Sequence, residues 1–106
     1  MQEATFMILT SLAQGRQHGY GIIIDVKAIS GDRIRLRPGT LYSALDRLRA
    51  EGLVEVDREE IVDGRLRRYY VLTPQGSNRL SAEAARLRAD ANTALTRLQL
   101  AGGTTT

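Results

Sequence analysis

Asp63-Gly64 separates two stretches in which apolar and polar residues alternate, Leu53 to Asp57 before it and Arg68 to Leu72 after it. A two-residue hairpin turn needs positive φ at both positions, and Asp-Gly tolerates that conformation. The pattern therefore predicts a two-stranded antiparallel hairpin, with the Arg65-Leu66-Arg67-Arg68 run starting at its tip. Elsewhere the apolar residues recur at helical intervals. The chain is thus expected to be mainly α, with one small two-stranded β element near its middle.

Four helices account for most of the rest. Ala4, Ile8 and Leu12, with Met7 and Leu9 beside them, lie on one face of a first helix within Gln2–Gln14, and Gly15 supplies a stop. Ile22, Ile23, Val26 and Ile29 mark a second helix ending at Ser30-Gly31-Asp32. The β-branched run Ile22-Ile23-Ile24 also suits a strand, but the spacing through Val26 and Ile29 favours helix. In the segment that follows, Arg33, Arg35 and Arg37 alternate with Ile34 and Leu36, which predicts an extended run with one wet basic face. Pro38 suits the first position of a third helix, whose buried stripe is Leu41, Ala44, Leu45 and Leu48. Thr73-Pro74 reads as the N-cap and first residue of a last helix. Along it Leu80, Ala84, Leu87, Ala91, Ala94 and Leu98 recur at alternating intervals of four and three, a heptad pattern. That stripe could pack within the monomer. The preceding elements already have apolar stripes to pair with one another, so an interface with a second copy is the stronger expectation.

Three short helices, a hairpin and a long helix are the order of a winged helix-turn-helix fold followed by a dimerisation helix. Residues 1–73 are expected to form the DNA-binding domain, 74–101 the dimerisation helix, and 102–106 a disordered tail. Charge follows that division. Fourteen of the 15 basic residues are arginine, and the net charge is +3. Residues 31–50 carry +3, residues 51–64 carry −5, and residues 65–70 carry +3. Two basic blocks around one acidic block suit a two-point contact with a polyanion. In this fold the third helix enters the major groove and the hairpin tip reaches the backbone or minor groove.

Several stretches are more specific than the fold: His18-Gly19-Tyr20, then Pro38-Gly39-Thr40-Leu41-Tyr42, Leu45, Arg47-Leu48 and Glu51-Gly52-Leu53. Gly64-Arg65, Tyr69-Tyr70 and Leu72-Thr73-Pro74-Gln75-Gly76 follow in order. Across roughly residues 5–80 the chain resembles the PadR family of bacterial transcriptional repressors, in particular its small subgroup with a single C-terminal helix. The resemblance implies a dimeric repressor whose first and last helices form the dimer interface. It also implies release from DNA when a small aromatic or lipophilic molecule binds there. The DNA-contact candidates it implies are His18, Tyr20, Gly39, Thr40, Tyr42, Gly64 and Arg65. Facing and charge add Arg35, Arg37, Ser43, Arg47 and Arg67. An effector site is expected between subunits near Phe6, Met7, Leu95 and Gln99, and the absence of Trp argues against a broad-drug pocket. Half-sites of a pseudo-palindromic operator would lie about one helical turn apart.

Three positions depart from the family pattern. Gly21 stands where Glu is frequent, Arg37 where Ser caps the third helix, and Ser43 where Pro follows Leu-Tyr. These changes bear on which DNA sequence is read. Plainer readings compete at single residues. His18 could cap a helix as well as meet a phosphate, the Arg33/Arg35/Arg37 row could be an ordinary solvated face, Tyr42 could pack on a neighbouring helix, and Tyr69 could support the wing. Tyr70, in register with Leu72, is expected in the core.

Catalysis and metal chemistry find little support. The chain has no Cys and one His, so thiolate nucleophiles, disulfides and two-His metal sites are unavailable. No cofactor or metal is expected. The acids Glu55, Asp57, Glu59 and Glu60 read as the wet side of a strand. No apolar run approaches a membrane span, and Met1-Gln2-Glu3-Ala4 does not resemble a signal peptide, so a cytoplasmic chain is expected. The alternative from another class is a dimeric winged-helix module that binds protein or RNA.

Overall fold

A computed structural model describes residues 1–102. The elements are α1 (Glu3–Leu12), β1 (Gln17–His18), α2 (Gly19–Ile29), α3 (Pro38–Ala50), β2 (Val54–Val62), β3 (Arg65–Leu72) and α4 (Pro74–Gly102). The tail expected from residue 102 onward lies outside the described residues, apart from Gly102, which ends α4.

The hairpin turns where the sequence places it. Asp63 and Gly64 have φ of 52° and 77°, and Val62 faces Arg65 across the turn. Its strands run further than the alternation suggested, because charged pairs such as Glu59↔Arg68 continue the ladder beyond the apolar residues. One extra residue, Asp57, is accommodated where the register steps from Val56↔Tyr70 to Arg58↔Tyr69. Asp57 pairs with Arg16 at 2.6 Å, which ties β2 to the segment before β1.

The two-stranded expectation needs one correction. Gln17 and His18 add a third antiparallel strand, giving the order β1-β3-β2 with Gln17↔Tyr70 and His18↔Tyr69. Two residues are too short to show any periodicity, so only their pairing with β3 reveals the strand. The alternation of residues 33–37 holds for burial, with Leu36 buried and the three arginines exposed. This segment joins no sheet, and its turn is held by the Ile34 N–H donating to Ser30 Oγ at 2.9 Å.

The core forms where the helical stripes converge. Ile8, Leu9 and Leu12 of α1 meet Ile22 and Val26 of α2 and Leu41, Leu45 and Leu48 of α3, closed by Leu53, Val54 and Tyr70 from the sheet side. The Ile22–Ile24 run is helical. Ile22 is buried while Ile24 and Ile29 are exposed, so only part of the expected stripe is covered.

Thr73 joins the last helix to this core. Its Oγ1 accepts from the Gly76 N–H at 3.0 Å and donates to the Gly52 carbonyl at 2.6 Å, while its own N–H donates to the Leu53 carbonyl at 3.1 Å. A Cβ on Gly76 would overlap that same Leu53 carbonyl oxygen, so the close approach requires glycine. Beyond this anchor α4 leaves the domain. Leu80 packs against the core, whereas Ala84, Leu87, Ala91, Ala94 and Leu98 are exposed, Leu98 at 69%. At 1.5 Å per residue, 29 residues make an arm about 43 Å long, consistent with a molecule of 61 × 27 × 21 Å.

Candidate nucleic-acid interface

The wing, the start of α2 and one flank of α3 enclose an open cleft of about 540 Å³. His18, Tyr20, Tyr42, Arg65, Arg67 and Arg68 are among its walls. Gly19 leaves room for this. A Cβ there would displace the Tyr42 hydroxyl, which crosses to the start of α2 over the bare glycine. The Gly of His-Gly-Tyr and the Tyr of Leu-Tyr, 23 positions apart, are thus one packing unit.

His18 is the N-cap of α2. Its Nδ1 accepts from the Gly21 N–H at 3.1 Å, which satisfies a donor that the helix itself cannot. Its ring stands edge-on to Tyr69, centroids 5.6 Å apart. Burial, reinforced by the nearby Arg67, lowers the imidazole pKa, and Glu60 opposes the shift. Tyr69 therefore serves as wing support. Its hydroxyl donates to Glu60 at 2.7 Å, and the Arg58 guanidinium lies 5.3 Å from its ring centre. The Tyr69 and Arg58 hydrogen bonds hold the Glu60 carboxyl below its ordinary range. Tyr70 is buried as expected, and that burial raises its hydroxyl pKa.

Ion pairs divide the arginines into two groups. Arg33 pairs with Glu3 at 2.7 Å, Arg35 with Asp32, Arg58 with Glu60 at 2.7 Å and Arg68 with Glu59 at 2.7 Å. Arg37, Arg47, Arg49, Arg65 and Arg67 form no ion pair among the described residues. The acidic block of β2 therefore neutralises part of the wing and leaves Arg65 and Arg67 at its tip. Arg35, by contrast, is engaged by its own turn. Its Nε donates to Asp32 at 3.1 Å, and the second guanidinium contact is shorter still. Arg37 stands at the N-cap of α3 and makes no side-chain cap, as its replacement of Ser implies.

The remaining candidates lie on the adjacent flank of α3. Gly39, Thr40, Ser43 and Arg47 border a groove of about 360 Å³ against Gln2, Ala4 and Thr5 of the α1 side. Arg47 Nη2 donates to Thr5 Oγ1 at 3.1 Å, so this arginine leans toward α1. Gly64 sits in the turn itself, between Asp63 and Arg65 of the wing cleft. Within one chain, Phe6 and Met7 are half-buried on α1, and Leu95 and Gln99 lie exposed far along α4. None of these four lines either cleft described above. Leu66 and Arg68 also line the cleft. Arg68 belongs to the basic run that the sequence places on the wing, and for Leu66 the only signal is its position within that run.

Three helices, a hairpin with a basic tip and a helix start facing the same cleft define a winged helix-turn-helix protein. The sequence profile of the transcriptional regulator PadR-like family matches residues 8–82, and the chain belongs to that family. It is 40% identical over 76 residues to a transcriptional regulator of Mycobacterium tuberculosis, covering 72% of this chain and 67% of that protein. It is 43% identical over 82 residues to an uncharacterized 37.1 kDa protein in a transposon of Streptomyces fradiae, covering 77% of this chain but only 22% of the relative. Among solved structures, a PadR family transcription regulator of Clostridium difficile R20291 superposes with a TM-score of 0.76 at 23% identity, covering 92% and 99% of the two chains. Bacillus subtilis PadR in complex with operator DNA gives 0.70 at 25% identity, covering 78% of this chain and 47% of that one.

Proposed function

We propose that this chain is a sequence-specific DNA-binding regulator that acts as a dimeric repressor. The observation that carries the reading is the set of arginines without an ion pair among the described residues, Arg65 and Arg67 lining the Tyr20/Tyr42 cleft and Arg37 at the N-cap of α3. These groups suit a phosphate backbone, while the exposed start of α3, with Thr40 and Ser43, suits base edges. The operator-bound relative supports the same reading. A second copy would cover the exposed α4 heptad and place two recognition helices on a pseudo-palindrome, with half-sites about one turn apart. An aromatic or lipophilic effector would bind where α1 of one subunit meets α4 of the other, at Phe6, Met7, Leu95 and Gln99. By favouring a different separation of the two recognition helices, it would lower operator affinity.

Selection of bound duplexes from a random pool tests the reading. An enriched palindrome that Arg65→Ala and Arg47→Ala bind more weakly supports it. Equal binding to every sequence, or none, refutes it and favours a protein- or RNA-binding module. Titrating phenolic acids and lipophilic dyes against the complex tests release, and operator affinity that never falls refutes the effector half.

A further inference from the structure

We propose that His18 is a ligand for a nucleic-acid phosphodiester in its neutral form, with one ring nitrogen held by the protein and the other offered to the backbone. The proposal rests on the DNA-binding reading and adds a mechanism to it. Nδ1 accepts from the Gly21 N–H at 3.1 Å, so Nδ1 carries no proton. A neutral imidazole has one N–H, which must then be on Nε2. Nε2 has no hydrogen-bond partner among the described residues and is not among the fully buried polar atoms that lack one, so it keeps some accessible surface on this half-buried side chain. His18 borders the wing cleft, where Arg65 and Arg67 supply positive charge and Tyr20 and Tyr42 supply hydroxyls.

The donor is aimed before any ligand arrives. The Gly21 contact fixes one edge of the ring, and Tyr69 packs against it with planes at 85°. Tyr69 is itself held by Glu60 and lies beside the Arg58 guanidinium. Protonation would set a hydrogen on Nδ1 against the Gly21 N–H and break the cap. Burial and the charge of Arg67 disfavour it as well, against a smaller pull from Glu60. A phosphodiester matches this cleft because it is an anion with acceptors and no proton of its own.

The chain has a single His, so its imidazole nitrogens are observable by NMR without assignment. In the free protein at pH 7.5, Nδ1 should read as unprotonated and Nε2 as protonated. The opposite tautomer, or an imidazolium, overturns the proposal. His18→Asn keeps an acceptor for the cap but lacks the reach of Nε2. It should melt like the wild type and bind the selected operator about tenfold or more weakly, the fold-change of one hydrogen bond to a charged acceptor. Its salt dependence should equal the wild type's, because a neutral donor displaces no counterion. His18→Ala should lose both affinity and melting temperature. Wild-type affinity in His18→Asn overturns the donor role, and a salt slope reduced by about one overturns the neutral state. If the wild type binds no duplex, the DNA-binding reading fails and the ligand half fails with it. The tautomer of the free protein separates that outcome from an error about His18 itself.

Discussion

The division of arginines into paired and unpaired groups makes a quantitative prediction about salt. Each phosphate neutralised by a cation adds about 0.9 to the slope of log affinity against log salt on duplex DNA. Arg65 and Arg67 have no carboxylate partner among the described residues, so each is available to one phosphate. Arg68 already shares its charge with Glu59 at 2.7 Å. Replacing Arg65 and Arg67 together by Gln should reduce the slope by about 1.8 per bound subunit. Between 50 and 200 mM salt, a fourfold range, the affinity gap between variant and wild type should then narrow by about tenfold per subunit. Replacing both Glu59 and Arg68 by Gln removes a neutral pair and should leave the slope unchanged. Fluorescence anisotropy with the selected operator at five or six salt concentrations measures both. Equal slope losses in the two double variants would refute the reasoning, because the ion pairs seen in the free chain would then not decide which arginines meet DNA.

Thr73→Val removes an acceptor from Gly76 and a donor from Gly52 in a nearly closed site, so a loss of about 2–4 kcal/mol is expected in thermal or urea unfolding. Leu45→Ala, fully buried at the centre of α3, should lose about 2–5 kcal/mol by the same measurement. The proposed α4 interface predicts a wild type that scatters light as a dimer and a Leu87→Asp/Leu98→Asp variant that stays folded but monomeric; a variant that remains dimeric, or a monomeric wild type, refutes it. His18 titrates below its ordinary value of 6.5 in the folded chain, so between the two values the unfolded state binds more protons. Its stabilisation is complete above pH 6.5 and is lost as pH falls toward the folded value. The melting temperature of the wild type should fall across that window relative to that of His18→Asn.

Local chemistry wrote much of this protein plainly. Asp63-Gly64 fixes a turn because few residue pairs accept positive φ twice, and both do so here. Pro38 and Pro74 open their helices because a missing N–H is harmless there. The stripes of α1 and α3, and the exposure of the α4 heptad beyond Leu80, follow from periodicity and from what remains to cover it. The family motifs fall on the start of α2, on α3 and on the wing, the elements that line the two clefts.

Other features depend on atoms far apart in the chain. Strand β1 exists only because β3 offers it a free edge. Gly19 makes room for the hydroxyl of Tyr42, and Gly76 is required by the carbonyl of Leu53, neither of them a neighbour in sequence. The charge blocks counted along the chain could not show which arginines are already satisfied. Arg33 and Arg35 look equivalent to Arg37 in sequence, yet Glu3 holds the first and Asp32 the second. The sequence alone determined the elements, their order and the kind of surface they present, because those follow from neighbouring residues. Only the tertiary structure decided which charges remain free and which nitrogen of His18 caps α2, because hydrogen bonds and ion pairs depend on distance in space.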